Sequence, residues 1–84
     1  MYYTYILKSE VTNKFYIGST GNLEDRLTRH NQGRSKSTAK GIPWTLELIE
    51  EYETRSVAMR REMELKSWKS HKRIDELILS KDKK

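Results

Sequence analysis

Tyr16, Gly18, Arg26 and His30 share one stretch, FYIGSTGNLEDRLTRH from Phe15 to His30, and it opens a segment charged with one sign only. From Arg26 to Leu46 there are five basic residues, Arg26, Arg29, Arg34, Lys36 and Lys40, and no acid. Residues 60–73 add Arg60, Arg61, Lys66, Lys69, Lys72 and Arg73 against Glu62 and Glu64. Between these segments, ELIEEYE holds four glutamates. Two basic segments parted by an acidic one describe a polarised surface that attracts a polyanion, although an ordinary solvated surface would read the same way.

Other residues could join this chemistry. If EVTN is a four-residue hairpin loop, Ser9 faces Lys14 and Tyr5 faces Gly18. Side chains alternate along a strand, so Tyr5 and Tyr16 then project from the same face. They could be two core tyrosines or part of a site, and Gly18 opposite Tyr5 leaves room for a ligand or a close backbone contact. Arg26 and His30 are i, i+4 neighbours beside the apolar course Leu23, Leu27, His30. Glu62 falls in the apolar arc of Ala58, Met59 and Leu65. A carboxylate there is costly unless it is paired, with Lys66 one turn on, or holds a metal ion. No Gly-rich phosphate loop, His-Glu-x-x-His or nucleophile elbow is present, and His30 and His71 lack metal-ligand spacing.

The elements that must position these residues follow from local pattern. YYTYILKS and KFYIGST are rich in β-branched and aromatic residues and read as paired strands around EVTN. Asn22 can cap a helix over LEDRLTRHNQG, with Glu24 and Asp25 in its positive first turn and Gly33 to end it. GRSKSTAKGIP reads as a loop, and WTLELIEEYE as a third strand with apolar residues alternating at Trp44, Leu46 and Leu48 before shifting to Ile49 and Tyr52. Thr54 or Ser56 opens a helix through Trp68, SHKRIDELILS forms the last helix, and KDKK, residues 81–84, is expected to be a frayed tail. The fold class is α+β: a small three-stranded antiparallel sheet flanked by helices in the order β-β-α-β-α-α.

Composition bounds the rest. Eighty-four residues with 35% apolar and 35% charged side chains predict one domain, 1–84, with a small core. The absence of cysteine rules out disulfides and Cys-ligated zinc. No apolar run approaches the roughly 20 residues of a membrane span, and no signal-peptide pattern opens the chain, so a cytoplasmic location without membrane association is expected.

These residues resemble the GIY-YIG nuclease domain, and more closely its small stand-alone bacterial members, related to the nuclease domain of nucleotide-excision repair. The resemblance covers residues 2–80. YIG is present literally at Tyr16 to Gly18, and Tyr5 takes the place of the tyrosine that ends the first tripeptide, here YTY. The helix arginine of the family matches Arg26, the histidine of some members matches His30, and the metal-binding glutamate matches Glu62 in AMRREMELK. The loss of the first glycine and isoleucine touches backbone and core geometry, and the asparagine that some members carry after the glutamate helix has no counterpart beyond Asn31.

The resemblance implies metal-dependent hydrolysis of a DNA phosphodiester in repair or processing of branched or nicked DNA, with RNA left open as a substrate. Glu62 would hold one Mg²⁺ or Mn²⁺, and Arg26 would bind a nonbridging phosphate oxygen. Tyr5 would act as general base with Tyr16 orienting water or phosphate, and His30 would relay or accept the Tyr5 proton. Arg29, Arg34, Lys36 and Lys40 on one side and Lys66 and Lys69 on the other would grip flanking phosphates, reading backbone rather than bases. Two alternatives stand beside this: a catalytically weak nucleic-acid-binding module, and a nuclease subunit whose target is chosen by a protein partner, because 84 residues leave no room for a separate DNA-reading domain. Oligomeric state is left open.

Overall fold

The computed structural model describes residues 1–34, 36 and 38–82, with side chains described as far as Ser80. Strand β1, Tyr2–Ser9, lies at the centre of a three-stranded sheet between β2, Phe15–Thr20, and β3, Trp44–Tyr52. Both pairings are antiparallel. The helices are α1, Leu23–Asn31, α2, Arg55–Ser67, and α3, His71–Asp82, and a short 3-10 turn covers Ala39–Gly41. The expected order β-β-α-β-α-α is the observed one. Two of the four residues expected as a tail continue α3, and Lys83 and Lys84 lie outside the described residues.

The four-residue hairpin loop sets the register. Asn13 closes it in the left-handed region at φ 61°, a conformation asparagine tolerates. Ser9 Oγ accepts the Val11 and Thr12 amides at 3.1 and 2.9 Å and donates to the Gly41 carbonyl at 2.6 Å, so one hydroxyl ties the hairpin to the distant turn. Tyr5 consequently sits opposite Gly18, as the loop length predicts.

A central strand covered on both faces is buried in succession, and Thr4, Tyr5, Ile6 and Leu7 are all closed to solvent. Ile6 packs with Ile17, Leu48, Leu65, Ile74 and Ile78 on the α2 and α3 side. Tyr5 and Leu7 pack with Trp44, Leu23, Leu27 and Leu46 on the α1 side. Each fully buried Ile or Leu contributes roughly 1.5–3 kcal/mol by its removal from water.

Simple alternation along β3 predicts Trp44, Leu46 and Leu48 on one face. The structure corrects this. Leu7 faces Leu46 while Ile6 faces Leu48, so Glu47 is an extra residue and the strand bulges. The bulge sends Leu46 to the α1 core and Leu48 to the α2 core, which is the physical reason for the shift in apolar phase.

The helix caps follow the expected residues. Asn22 Oδ1 accepts the Asp25 amide at 3.1 Å, Thr54 Oγ1 accepts the Val57 amide at 3.3 Å, and Gly33 leaves α1 at φ 75°. Asn31 locks the far end of α1 to β3: its side chain donates to the Trp44 carbonyl at 3.1 Å and accepts the Trp44 amide at 2.7 Å. On the other face, Thr4 Oγ1 donates to the Ala58 carbonyl at 2.7 Å and holds α2 against β1. Arg61 anchors the same helix through Glu50 at 2.8 Å and Glu64 at 2.8 Å, with its guanidinium 5.8 Å from the Trp68 ring centre. Burial of the Glu50 side chain makes this pair structural, so Arg61 is one basic residue that the charge pattern alone misassigns to the polyanion surface.

Candidate active site

A cavity of about 270 Å³ opens over the edge strand β2, with Tyr5, Tyr16, Arg26 and Glu62 all on its wall. Strand alternation explains how two faces contribute. Tyr5 and Tyr16 project toward α1, whereas Ser19, directly opposite Thr4, points toward α2 and reaches Glu62. The cavity therefore runs over the rim of the sheet and collects Arg26 from α1 and Arg55, Ala58, Met59 and Glu62 from α2.

Gly18 is what lets the phenol lie there. A Cβ at Gly18 would stand 2.5 Å from the Tyr5 hydroxyl oxygen and 2.7 Å from its ring carbon Cζ. The room anticipated for a ligand is thus occupied by Tyr5 itself. The two tyrosine rings are 6.4 Å apart, and the Tyr16 ring lies 4.7 Å from His30. Tyr5 is 1% exposed while Tyr16 is half-buried, so Tyr16 is the more accessible phenol.

Behind the cavity runs a buried polar chain. The Tyr5 hydroxyl and His30 Nε2 share a hydrogen bond of 3.2 Å, and His30 Nδ1 shares another with Thr38 Oγ1 at 2.9 Å. His30 and Thr38 are both closed to solvent. Burial first, and the Arg26 charge second, hold the imidazole below its ordinary pKa, so it is neutral at pH 7. Burial also dominates at Tyr5: with the Tyr16 phenol and the Glu62 carboxylate it pushes the hydroxyl well above the ordinary phenol value, against the opposing pull of Arg26. A standing phenolate at neutral pH is therefore opposed by its surroundings.

Arg26 does not pair with Asp25; that carboxylate binds Arg29 at 3.1 Å, one turn away. Arg26 instead borders both the main cavity and a second one of about 280 Å³ shared with Tyr16, Arg29, His30 and Arg34. Glu62 accepts a hydrogen bond from Ser19 Oγ at 2.6 Å and an ion pair from Lys66 Nζ at 2.6 Å. The expected pairing with Lys66 is thus present, and the same carboxylate also borders the cavity.

A hard cation fits this donor set. Glu62 presents a carboxylate whose ammonium partner is half-exposed on a flexible stem, and Mg²⁺ commonly takes one or two carboxylates and fills its remaining positions with water and substrate oxygens. Among the described residues there is no group of three or more His, Asp and Glu side chains that would form a protein cage.

The expected flanking contacts divide unevenly. Arg29, Arg34, Lys36 and Lys40 are exposed, with Arg29 and Arg34 beside the second cavity, while the Ser35 and Ser37 positions lie outside the described residues. Lys66 is held by Glu62 and Lys69 borders a separate groove with Lys14, Phe15 and His71. Sequence reasoning missed Ser19, Arg55 and Tyr2 on the cavity wall, and Thr38 behind it. Ser19 directly follows YIG and was legible as a neighbour; Thr38 sits in a polar loop that gives no pattern to read.

The model of the GIY-YIG catalytic domain matches residues 1–75 of this chain. A UPF0213 protein of Staphylococcus haemolyticus is 36% identical over 74 residues, covering 87% of this chain and 89% of that protein. A UPF0213 protein of Bacillus pumilus is 33% identical over 85 residues, covering 96% and 86% respectively. The solution NMR structure of a UPF0213 protein from Bacillus halodurans superposes with a TM-score of 0.60 at 29% identity, covering 96% of this chain and 86% of that one.

Proposed function

The chain belongs to the GIY-YIG catalytic domain family, a family of nucleases, and on that premise we propose that it is a divalent-metal-dependent endonuclease acting on DNA phosphodiesters. The observation that supports this best is the convergence of Tyr5, Tyr16, Arg26 and Glu62 on one water-accessible cavity from four separate elements. Basic residues flank it, so a nucleic-acid backbone would be drawn in by charge and bound more weakly as salt rises.

In this reading Arg26, permanently protonated, grips a nonbridging oxygen of the scissile phosphate. Tyr16 orients the attacking water or the phosphate from the cavity wall. Tyr5 works as a relay rather than a standing base. Ionising a free phenol at pH 7 costs roughly 4 kcal/mol, and burial adds to that. Transfer of the water proton to the Tyr5 oxygen, as the Tyr5 proton passes to neutral His30 Nε2, avoids a full phenolate. The water oxygen forms its bond to phosphorus while the bond to the leaving oxygen breaks, and solvent protonates that oxygen. Glu62 would hold Mg²⁺ or Mn²⁺, which would supply positive charge to offset the negative charge developing on the phosphoryl and leaving oxygens. Before that, Lys66 must swing away from Glu62, which its half-exposed side chain permits.

The same Lys66–Glu62 pair favours a second reading, a catalytically weak nucleic-acid-binding module in which that pair never opens. A role in repair of nicked or branched DNA, with a protein partner choosing the target, extends the first reading. Incubation of the purified protein with Mg²⁺ or Mn²⁺ and with nicked, branched and linear DNA separates these. Product absent from a Glu62→Ala control supports the nuclease. Binding without cutting supports the module, and cutting only with an added partner supports the targeted subunit.

A further inference from the structure

We propose that the second cavity, beside the scissile-phosphate site, is a subsite for a terminal phosphomonoester on the nucleic-acid strand. Its wall is Tyr16, Arg26, Arg29, His30 and Arg34, and its volume is about 280 Å³. Three arginines border it and, among the described residues, no Asp or Glu does, whereas the main cavity carries Glu62. That difference sets the ligand class. A phosphodiester offers one negative charge on two nonbridging oxygens. A terminal phosphate near pH 7 carries about −1.5 to −2 on three acceptor oxygens. Three guanidinium forks offer more charge and more donors than one diester can use, and they match a terminal phosphate.

Continuity with the main site places the ligand on the same strand. Tyr16 and Arg26 form the wall between the two cavities, so a phosphate in the second lies next to the one undergoing hydrolysis. His30, neutral at the back, adds no charge and gives the pocket a floor. Arg29 is tied to Asp25, but both side chains are about half-exposed, and such i, i+4 surface pairs are weak in water. An incoming dianion competes with that pair easily. The chain would thus prefer strands that already end in a phosphate, as at a nick or a processed end.

This subsite rests on the nucleic-acid reading above, and binding without metal separates the two. Fluorescence anisotropy with dye-labelled six-nucleotide DNA in EDTA would compare a 5′-phosphate, a 3′-phosphate and hydroxyl-only ends. Wild type is expected to bind one phosphorylated form about ten-fold tighter than the hydroxyl form, the scale of one added charge-assisted contact. Which form wins identifies the strand polarity. Arg34→Gln and Arg29→Gln, both at exposed positions, are expected to bring that ratio close to one, and inorganic phosphate is expected to compete with the preferred form only. Equal binding of all three oligonucleotides by wild type overturns the subsite and leaves the nuclease reading standing. Failure to bind any of them overturns both.

Discussion

The Tyr5 hydroxyl lies 3.2 Å from His30 Nε2, joining residues 25 apart in sequence across the contact between β1 and α1. Both groups are closed to bulk water, and the Arg26 charge acts on each, lowering the Tyr5 pKa as well as that of His30. A buried phenol and a buried neutral imidazole in contact form a proton path whose two ends are the cavity and Thr38.

Thermal stability is expected to fall as the pH drops below about 6.5. The folded protein holds His30 below its ordinary pKa, through burial and then Arg26, while the unfolded chain restores that value. The unfolded state therefore binds more protons in this window, and stability is full above it and lost going down. Unfolding midpoints measured from pH 7.5 to 5 should show this slope in wild type and a shallower one in His30→Gln. Parallel profiles would show that other groups set the acid sensitivity.

Gly18→Ala is expected to destabilise the fold by about 1–3 kcal/mol, because the added methyl overlaps the Tyr5 hydroxyl and Cζ. In a Tyr5→Ala background the same change should cost close to nothing, since the obstacle is gone. A urea-unfolding double-mutant cycle measures this, and additive costs would place the clash elsewhere.

Both of these effects come from residues that the sequence already related to one another. The loop of four residues made the Tyr5–Gly18 pairing readable, and the helix period put Arg26 beside His30. What could not be read was depth. Alternation cannot show an inserted residue such as Glu47, so the split of Leu46 and Leu48 between two cores was hidden. Nor can a one-sign loop show that its Thr38 hydroxyl turns inward onto an imidazole while its carbonyl accepts the Trp44 indole N–H at 2.7 Å. Charge pattern treated Arg61 as one more basic residue, although Glu50 and Trp68 make it part of the framework. The convergence of Glu62 with the tyrosines was legible only through the family resemblance, because residue spacing gives no distance between remote elements.

Arg61→Ala is expected to cost about 1–3 kcal/mol, because it leaves the mostly buried Glu50 carboxylate short of its guanidinium. Arg60→Ala, at an exposed position one residue earlier, should change stability by no more than about 0.5 kcal/mol. Urea midpoints decide, and equal effects would deny Arg61 its structural role.

Lys66→Gln is expected to cost less than about 1 kcal/mol of stability, because its ion pair with Glu62 is half-exposed on the lysine side. It should also tighten Mn²⁺ binding by removing the competing ammonium, while Glu62→Gln should abolish it. Paramagnetic broadening of backbone amides around Glu62 reads both, and unchanged broadening in Glu62→Gln would move the cation elsewhere.

The most direct test of the shared cavity is the single-turnover rate of cleavage of a nicked or branched DNA at saturating Mg²⁺ by wild type, Arg26→Gln and Glu62→Gln, each confirmed as folded by circular dichroism. Wild type is expected to cut, and either variant to lose at least about 100-fold, the scale of removing a group that stabilises transition-state charge. Cutting at the wild-type rate by Arg26→Gln and Glu62→Gln would contradict this expectation.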